Sequence, residues 1–293
     1  MPLTNLIPGR IKSRWQHAVQ RRRENWWMAH AGEARSFSYR LQPGVRIHLH
    51  LDSELSRLIY CRHFEAAERE FLNNFLRPGD TFVDVGANIG LFTLIAVNRV
   101  GAEGQVIAFE PTPETFARLV QNVQSSGCRN ISCEQLALSD KSGKIEMTKS
   151  IDGFDAWNSL ASPKKGQALV KGTIQATTWT DYAQEHGLAG RVTMMKIDVE
   201  GWETWVLEGG RKFLSRADAP LLQVEFTDGA ARAAGSSCRE LYERLTGMGY
   251  GIFAFDVENR QLIPDALRKE YPNANLYAAK DVQFANARLS GKK

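Results

Sequence analysis

The chain has 293 residues, 43% hydrophobic, 10% aromatic and 24% charged, with 24 Gly and 10 Pro scattered along it. That composition belongs to an ordinary globular protein and excludes disordered, collagen-like and coiled-coil classes. The formal charge of +4 is unevenly held: residues 1–50 carry nine Lys/Arg against Glu24 and Glu33, whereas the rest carries 28 Lys/Arg against 31 Asp/Glu.

In chain order, residues 1–33 are basic and Trp-bearing, with Ile11, Trp15 and Val19 at helical spacing. Phe37–Leu41 and Val45–Leu51 alternate around Gln42-Pro43-Gly44 and predict a β-hairpin. Ser53–Leu76 reads as a helical lead-in with Phe64, Ala67, Phe71 and Phe75 on one face, ended by Arg77-Pro78-Gly79-Asp80. Strand and helix patterns then alternate. Strands are expected at Thr81–Val85, Gln105–Phe109, Asn130–Leu138, Lys144–Thr148, Val192–Val199, Leu221–Phe226, Tyr250–Val257 and Leu276–Val282. Helices are expected at Ile89–Val100, Pro113–Ser126, Thr178–Glu185, Trp202–Leu214 and Cys238–Met248. Residues 150–172 resist assignment. Such alternation builds right-handed βαβ units and a largely parallel, doubly wound sheet. Its ligands sit at the C-terminal strand edge.

The residues after each strand therefore carry the functional reading. Asp84-Val85-Gly86-Ala87-Asn88-Ile89-Gly90 follows the first strand with glycines spaced Gly-x-x-x-Gly. This is neither the Gly-x-Gly-x-x-Gly of dinucleotide sites nor a P-loop. An acid two residues before the first glycine suits a loop that cradles an amino-acid moiety, although an ordinary βα turn would also use these glycines. Glu110, with Pro111 behind it, ends the second strand where two carboxylate oxygens can grip a ribose diol. Leu136-Ala137-Leu138-Ser139-Asp140 offers small and apolar residues to an adenine face. Lys196-Ile197-Asp198-Val199-Glu200-Gly201 and Glu225 bring three more carboxylates to the same edge. Such acids can orient a hydroxyl, take its proton or ligate a divalent cation, and they also cap helices.

VDVGANIG, FEP, LALSD, KIDVEG and LLQVEF in this order resemble the FkbM-type methyltransferases, a family that uses S-adenosylmethionine. The resemblance covers roughly Arg77 to Lys280, with a weaker echo at Phe64-Glu65. It implies a Rossmann-like class I methyltransferase fold: a mostly parallel seven-stranded sheet, its last strand antiparallel, with helices on both faces. It also implies O-methylation of a hydroxyl on a sugar, glycan or natural product. By the same resemblance, Glu65, Asp84, Gly86, Ala87, Asn88, Gly90, Glu110, Pro111, Ala137, Leu138 and Asp198 would bind the cofactor. Asp198, Glu200 and Glu225 would be catalytic, with His63 and His186 as weaker base candidates. Trp157, Asn158 and Ser159 would touch the acceptor. Mg²⁺ is a second cofactor that Asp198 and Glu225 could hold, with nothing further in its support.

Two parts are expected: a basic extension with a hairpin (1–52) and a methyltransferase domain (53–293) with its helical lead-in (53–77). The extension reads as a helix packing its Trp residues on the body or on a second copy of the chain. Its alternative is a peripheral membrane contact through residues 1–33, which would suit a lipid-linked glycan acceptor. Two competing functions are a nucleic-acid methyltransferase, disfavoured by the acidic body, and a non-catalytic membrane-surface binding module. Cys61, Cys128, Cys133 and Cys238 form no zinc or Cys-x-x-Cys pattern, and the N-terminus has no apolar signal core. Reduced thiols and a cytoplasmic location, or its inner membrane surface, are expected.

Overall fold

The computed structural model describes residues 9–62, 64–150 and 169–291. In chain order the elements begin with α1 (Gly9–His30), the hairpin β1 (Ser36–Gln42) and β2 (Val45–His50), α2 (Glu54–Tyr60) and α3 (Ala66–Phe75). There follow β3 (Thr81–Val85), α4 (Leu91–Val100), β4 (Gln105–Phe109), α5 (Pro113–Ser126), β5 (Ile131–Glu134), β6 (Ala137–Leu138) and β7 (Gly143–Ser150). Then come β8 (Leu169–Thr177), α6 (Trp179–Glu185), β9 (Met194–Ile197), α7 (Glu203–Leu214) and β10 (Leu221–Phe226). The chain closes with α8 (Asp228–Ala233), α9 (Cys238–Gly247), β11 (Gly251–Asp256), β12 (Gln261–Pro264), β13 (Ala274–Ala279) and α10 (Val282–Leu289).

The main sheet has the order β12-β11-β13-β10-β9-β3-β4-β5. Strands β5, β4, β3, β9 and β10 are mutually parallel, and β13 inserts antiparallel between β10 and β11. This sheet contains eight strands where seven were expected. The chain turns back after β11, with Arg260 at φ 49°, and adds β12 as an antiparallel edge. Two other expectations change. The lead-in is two helices, because Arg62 and Glu65 take the left-handed conformation and break the run after Tyr60. The single strand expected over Asn130–Leu138 divides: β5 stays in the main sheet, while β6 leaves it to pair with β8 in a small sheet β6-β8-β7.

Alternation along the central strands separates two cores. Val83, Val85, Met195, Ile197, Leu222, Val224 and Phe226 face α6, α7 and α9. Phe82, Met194, Leu221 and Tyr277 face α3, α4 and the hairpin residues Val45, Ile47 and Leu49. The hairpin is thereby built into the second core. Trp27 of α1 is 2% exposed, and Trp26 and Trp27 pack against Phe37 and Tyr60. Trp26 and Trp27 thus rest on Phe37 of the hairpin and Tyr60 of the lead-in. Among the described residues no helix is long and apolar enough to cross a membrane.

The second face also carries polar groups in one register row. Asp84 pairs with Lys196, Lys196 with Gln223, and Gln223 with Tyr277. All four side chains are buried. Asp84 Oδ1, both polar atoms of the Gln223 amide and the Tyr277 hydroxyl have no protein partner. Lys196 links this row to the strand ends through an ion pair with Asp198 Oδ2 at 2.8 Å.

Candidate active site

The C-terminal ends of the parallel strands open into a cavity of about 420 Å³. Gly86, Ala87 and Asn88 after β3 form one wall. Gly86 has φ +79°, and a Cβ there would lie 1.9 Å from the Asp198 carbonyl oxygen, so only glycine lets the loops after β3 and β9 touch. Glu110 after β4 anchors this wall: its Oε2 accepts from Asn88 N–H at 3.1 Å and its Oε1 from Thr112 N–H at 2.9 Å. Burial pushes the Glu110 carboxyl up to about 7 despite those bonds. Pro111 lies beside it, and Leu136, Ala137 and Leu138 supply an apolar wall. Ser139, next in the chain, accepts from the Trp202 indole at 3.1 Å and ties that wall to α7.

The opposite end is acidic. Asp198, Glu200 and Glu225 each offer an oxygen within 4.8 Å of the other two. Glu225 Oε1 accepts from the Thr227 hydroxyl at 3.1 Å and from the Asn273 amide at 3.3 Å, while Oε2 is buried without a partner. Glu65, at the left-handed N-cap of α3, reaches the cavity beside them, and its Oε2 is likewise buried and unpartnered. Burial, reinforced by the charge of Asp198, pushes Glu65 and Glu200 up to about 8 and Glu225 up to about 10. Lys196 is the cation facing this group. Although burial opposes its charge, Asp198, Asp84 and Glu65 raise its pKa.

The structure thus brings Glu65, Gly86, Ala87, Asn88, Glu110, Pro111, Ala137, Leu138, Asp198, Glu200 and Glu225 to one cavity. Asp84 and Gly90 stand behind the wall. Asp84 is fully buried and accepts from the Thr93 hydroxyl at 2.6 Å, because alternation turns it into the second core. Gly90 is the left-handed N-cap of α4. His186 is the C-cap of α6, stacked on Tyr182 with ring centroids 4.0 Å apart, and is not part of the cavity wall. His63, Trp157, Asn158 and Ser159 fall outside the described residues. Sequence reasoning gave no role to Lys196, to Glu203 or to Asn275, which lines the cavity and donates to Glu68 Oε1 at 3.1 Å. A lysine inside an apolar strand was the available signal, since a buried charge requires a partner. Glu203 Oε1 accepts from the N–H groups of Val199 and Gly201, at 3.0 and 3.2 Å, and so fixes the loop that carries Glu200.

The strand order, with β13 antiparallel beside β10 and a cavity at the parallel strand ends, defines a Rossmann-like class I methyltransferase fold. A family model, Methyltransferase FkbM domain, matches residues 84–252, more than half of the chain. The chain belongs to that family. It is similar to 31-O-demethyl-FK506 methyltransferase FkbM of Streptomyces tacrolimicus, 31% identical over 214 residues, with 61% of this chain and 75% of the relative covered. It is also similar to hexuronic acid methyltransferase AglP of Haloferax volcanii, 30% identical over 145 residues, with 50% and 56% covered. Methyltransferase 1 of Beauveria bassiana is 28% identical over 148 residues, with 45% and 59% covered. The chain spans less than two thirds of the length of the last two.

S-adenosylmethionine, the cofactor the family implies, fits the residues present. The cavity has the volume of an ordinary small-molecule site. The Glu110 carboxylate in the cavity wall offers acceptor oxygens of the kind a diol takes, and Leu136, Ala137 and Leu138 offer an apolar surface of the kind a planar base takes. The unpartnered buried oxygens of Glu65 and Glu225 suit a ligand that carries positive charge. The three carboxylates are also a hard-oxygen set of the kind divalent cations take.

Proposed function

We propose that the chain is an S-adenosylmethionine-dependent O-methyltransferase whose acceptor is a hydroxyl on a sugar, glycan or natural product. The observation that carries this reading is the single cavity joining the Gly86–Asn88 loop and Glu110 to the cluster of Asp198, Glu200 and Glu225. The similarity to a hexuronic acid methyltransferase and to a 31-O-demethyl-FK506 methyltransferase supports the acceptor class.

Bound S-adenosylmethionine supplies a methyl group already activated on a sulfonium. The chain's task is therefore alignment, desolvation and handling of one proton. Gly86, Ala87 and Asn88 would bring backbone against the cofactor's amino-acid part, Glu110 would accept from its ribose hydroxyls through the lone pairs not used by Asn88 and Thr112, and Ala137 and Leu138 would cover its base. Asp198, held by Lys196, together with Glu200 and Glu225, orients the acceptor hydroxyl and takes its proton. Positioning of this kind is worth about 7–11 kcal/mol of a barrier, and a well-placed base adds about 10²–10⁴-fold. At the acidic end, either protons or a bound cation balance the carboxylates.

Calorimetric titration with S-adenosylmethionine, followed by mass analysis of hydroxylated sugars and natural products incubated with chain and cofactor, tests the proposal. Binding that weakens at least about tenfold in Glu110→Ala, as loss of hydrogen bonds to a charged group requires, is expected. A wild type that does not bind, or an equal affinity in the variant, refutes it.

A further inference from the structure

The acidic end of the transfer cavity holds more carboxylates than proton removal needs. Glu65, Glu68, Asp198, Glu200 and Glu225 line it, and among the described residues of the wall Lys196 is the one cation. Lys196 is already committed: it donates to Asp198 Oδ2 at 2.8 Å and stands 5.0 Å from the centre of the Phe92 ring. Neutral donors reach only part of the remainder. Thr227 and Asn273 serve Glu225 Oε1. The Asn275 amide serves Glu68 Oε1 at 3.1 Å and Glu65 Oε1 at 3.5 Å. Glu65 Oε2 and Glu225 Oε2 are left buried with no protein donor. They belong to different elements, the N-cap of α3 and the end of β10, and the charge of Asp198 acts on both.

Methyl transfer to a hydroxyl releases a single proton, which one carboxylate can take. The bound cofactor adds one net positive charge, its sulfonium and ammonium set against its own carboxylate. The surplus acids and the two orphaned oxygens therefore call for further donors that carry charge, since buried carboxylate oxygens normally have partners and charged donors make the strongest ones. A metal ion is the compact candidate. The oxygens of Asp198, Glu200 and Glu225 lie within 4.8 Å of one another, but Glu65 is not in that set. An ion seated there leaves Glu65 Oε2 orphaned and meets the Lys196 ammonium as a like charge at Asp198. An ammonium carried on the acceptor reaches further. Its three N–H donors serve Glu65 and Asp198, while a hydroxyl on the next carbon meets Glu225.

We propose that the acceptor is an amino alcohol of the amino-sugar class, its ammonium held by Glu65 and Asp198 and its hydroxyl facing Glu225. This rests on the methyltransferase reading above and narrows its acceptor class. In the transfer the hydroxyl oxygen forms the new bond to the methyl group, the methyl–sulfur bond breaks, S-adenosylhomocysteine leaves and the hydroxyl proton passes to a carboxylate of the cluster. The ammonium, kept protonated by its carboxylate partners, has no lone pair with which to compete for the methyl group. The same acids repel an acceptor that carries a carboxylate of its own, so a uronate is refused by like charge. In this respect the chain parts from the hexuronic acid methyltransferase it resembles.

The test is calorimetry on the full chain saturated with S-adenosylhomocysteine, using the methyl glycosides of glucosamine, glucose and glucuronic acid. The glucosamine compound is expected to bind at least about tenfold more tightly than the glucose compound, as a charge-assisted hydrogen bond requires, and the glucuronic acid compound is expected to bind most weakly. In Glu65→Gln the preference for glucosamine over glucose should collapse, and taking the ratio cancels any change in cofactor binding. With S-adenosylmethionine in place of S-adenosylhomocysteine, a product heavier by one methyl group should keep its primary amine, read with o-phthalaldehyde. Equal affinity of the wild type for the three compounds, no binding of the glucosamine compound, or a preference that persists in Glu65→Gln overturns the proposal and leaves the methyltransferase reading standing. So does a product methylated on its amine. Magnesium or calcium chloride that binds alone and excludes the glucosamine compound assigns the cluster to a metal ion and likewise overturns it. Failure to bind S-adenosylhomocysteine overturns the methyltransferase reading and this proposal with it.

Discussion

Replacing Glu225 with Gln should stabilise the protein, and more so at alkaline pH. Glu225 Oε1 keeps its bonds from Thr227 and Asn273 in the amide, while the unpartnered Oε2 becomes an N–H₂ facing the other acids of the cluster. Burial and the charges of Asp198, Glu200 and Glu203 push the Glu225 carboxyl up to about 10, against an ordinary value of 4.5. Below the ordinary value both folded and unfolded chains hold the proton and no penalty exists. As pH rises, the unfolded chain releases a proton that the folded chain keeps, so wild-type stability falls across the window from 4.5 toward 10. At about pH 8 that window spans roughly 3.5 units, an upper limit of about 5 kcal/mol at about 1.4 kcal/mol per unit. Relaxation and hydration at the cavity mouth reduce the measurable gain to about 1–3 kcal/mol, since effective dielectrics near 20 describe such sites. Each kcal/mol should raise the melting temperature by about 2–4 °C. Urea denaturation of both proteins at about pH 5 and about pH 8 measures the difference. A variant less stable than wild type at the higher pH, or with the same gain at both, refutes the reasoning. The same substitution should lower methyl transfer, because it removes one of the three carboxylates at the acceptor.

Transfer itself should rise with pH and level off above about 8, where Glu200 ionises and can accept a proton; a flat profile of initial rate against pH would dismiss Glu200 as a base. Gly86→Ala should cost more than about 3 kcal/mol in a denaturation experiment, since its Cβ would collide with the Asp198 carbonyl, and wild-type stability would show that the two loops do not touch. Lys196→Met should cost about 3–5 kcal/mol near neutral pH by leaving Asp84 and Asp198 without their cation. That deficit should shrink in acid as the carboxylates take up protons, and an undiminished deficit counts against the ion pair. Trp27→Ala should cost about 3–5 kcal/mol in unfolding experiments because the side chain is almost fully enclosed; a negligible change would detach α1 from the core.

The strand succession and the residues after each strand were readable because parallel strands, buried on both faces, leave apolar runs punctuated by Gly and acids. That is how Gly86, Glu110, Asp198 and Glu225 could be placed at one edge before any coordinates. Asp84 was expected to bind the cofactor but lies behind the cavity wall, because strand alternation and not the glycine motif decides which face it occupies. The division of β5 from β6 was hidden for a similar reason. Both are short and apolar, and only their partners, β4 and β8, distinguish them. The break between α2 and α3 carries no Gly or Pro, so the left-handed Arg62 and Glu65 left no local mark.

The row Asp84, Lys196, Gln223 and Tyr277 also bears on how the sheet finds its alignment. Its four strands are far apart in sequence and otherwise present near-interchangeable apolar residues, so hydrophobic burial alone would accept several offsets. A slip of one residue would turn the Lys196 ammonium away from Asp84 and into the company of Val83 and Val224. Misaligned sheets are thus penalised by an unpaired charge rather than by poorer packing. The polar layer acts as a key cut across the strands: it yields little cohesion, but it leaves a single alignment in which Gly86 meets Asp198 and a cavity opens.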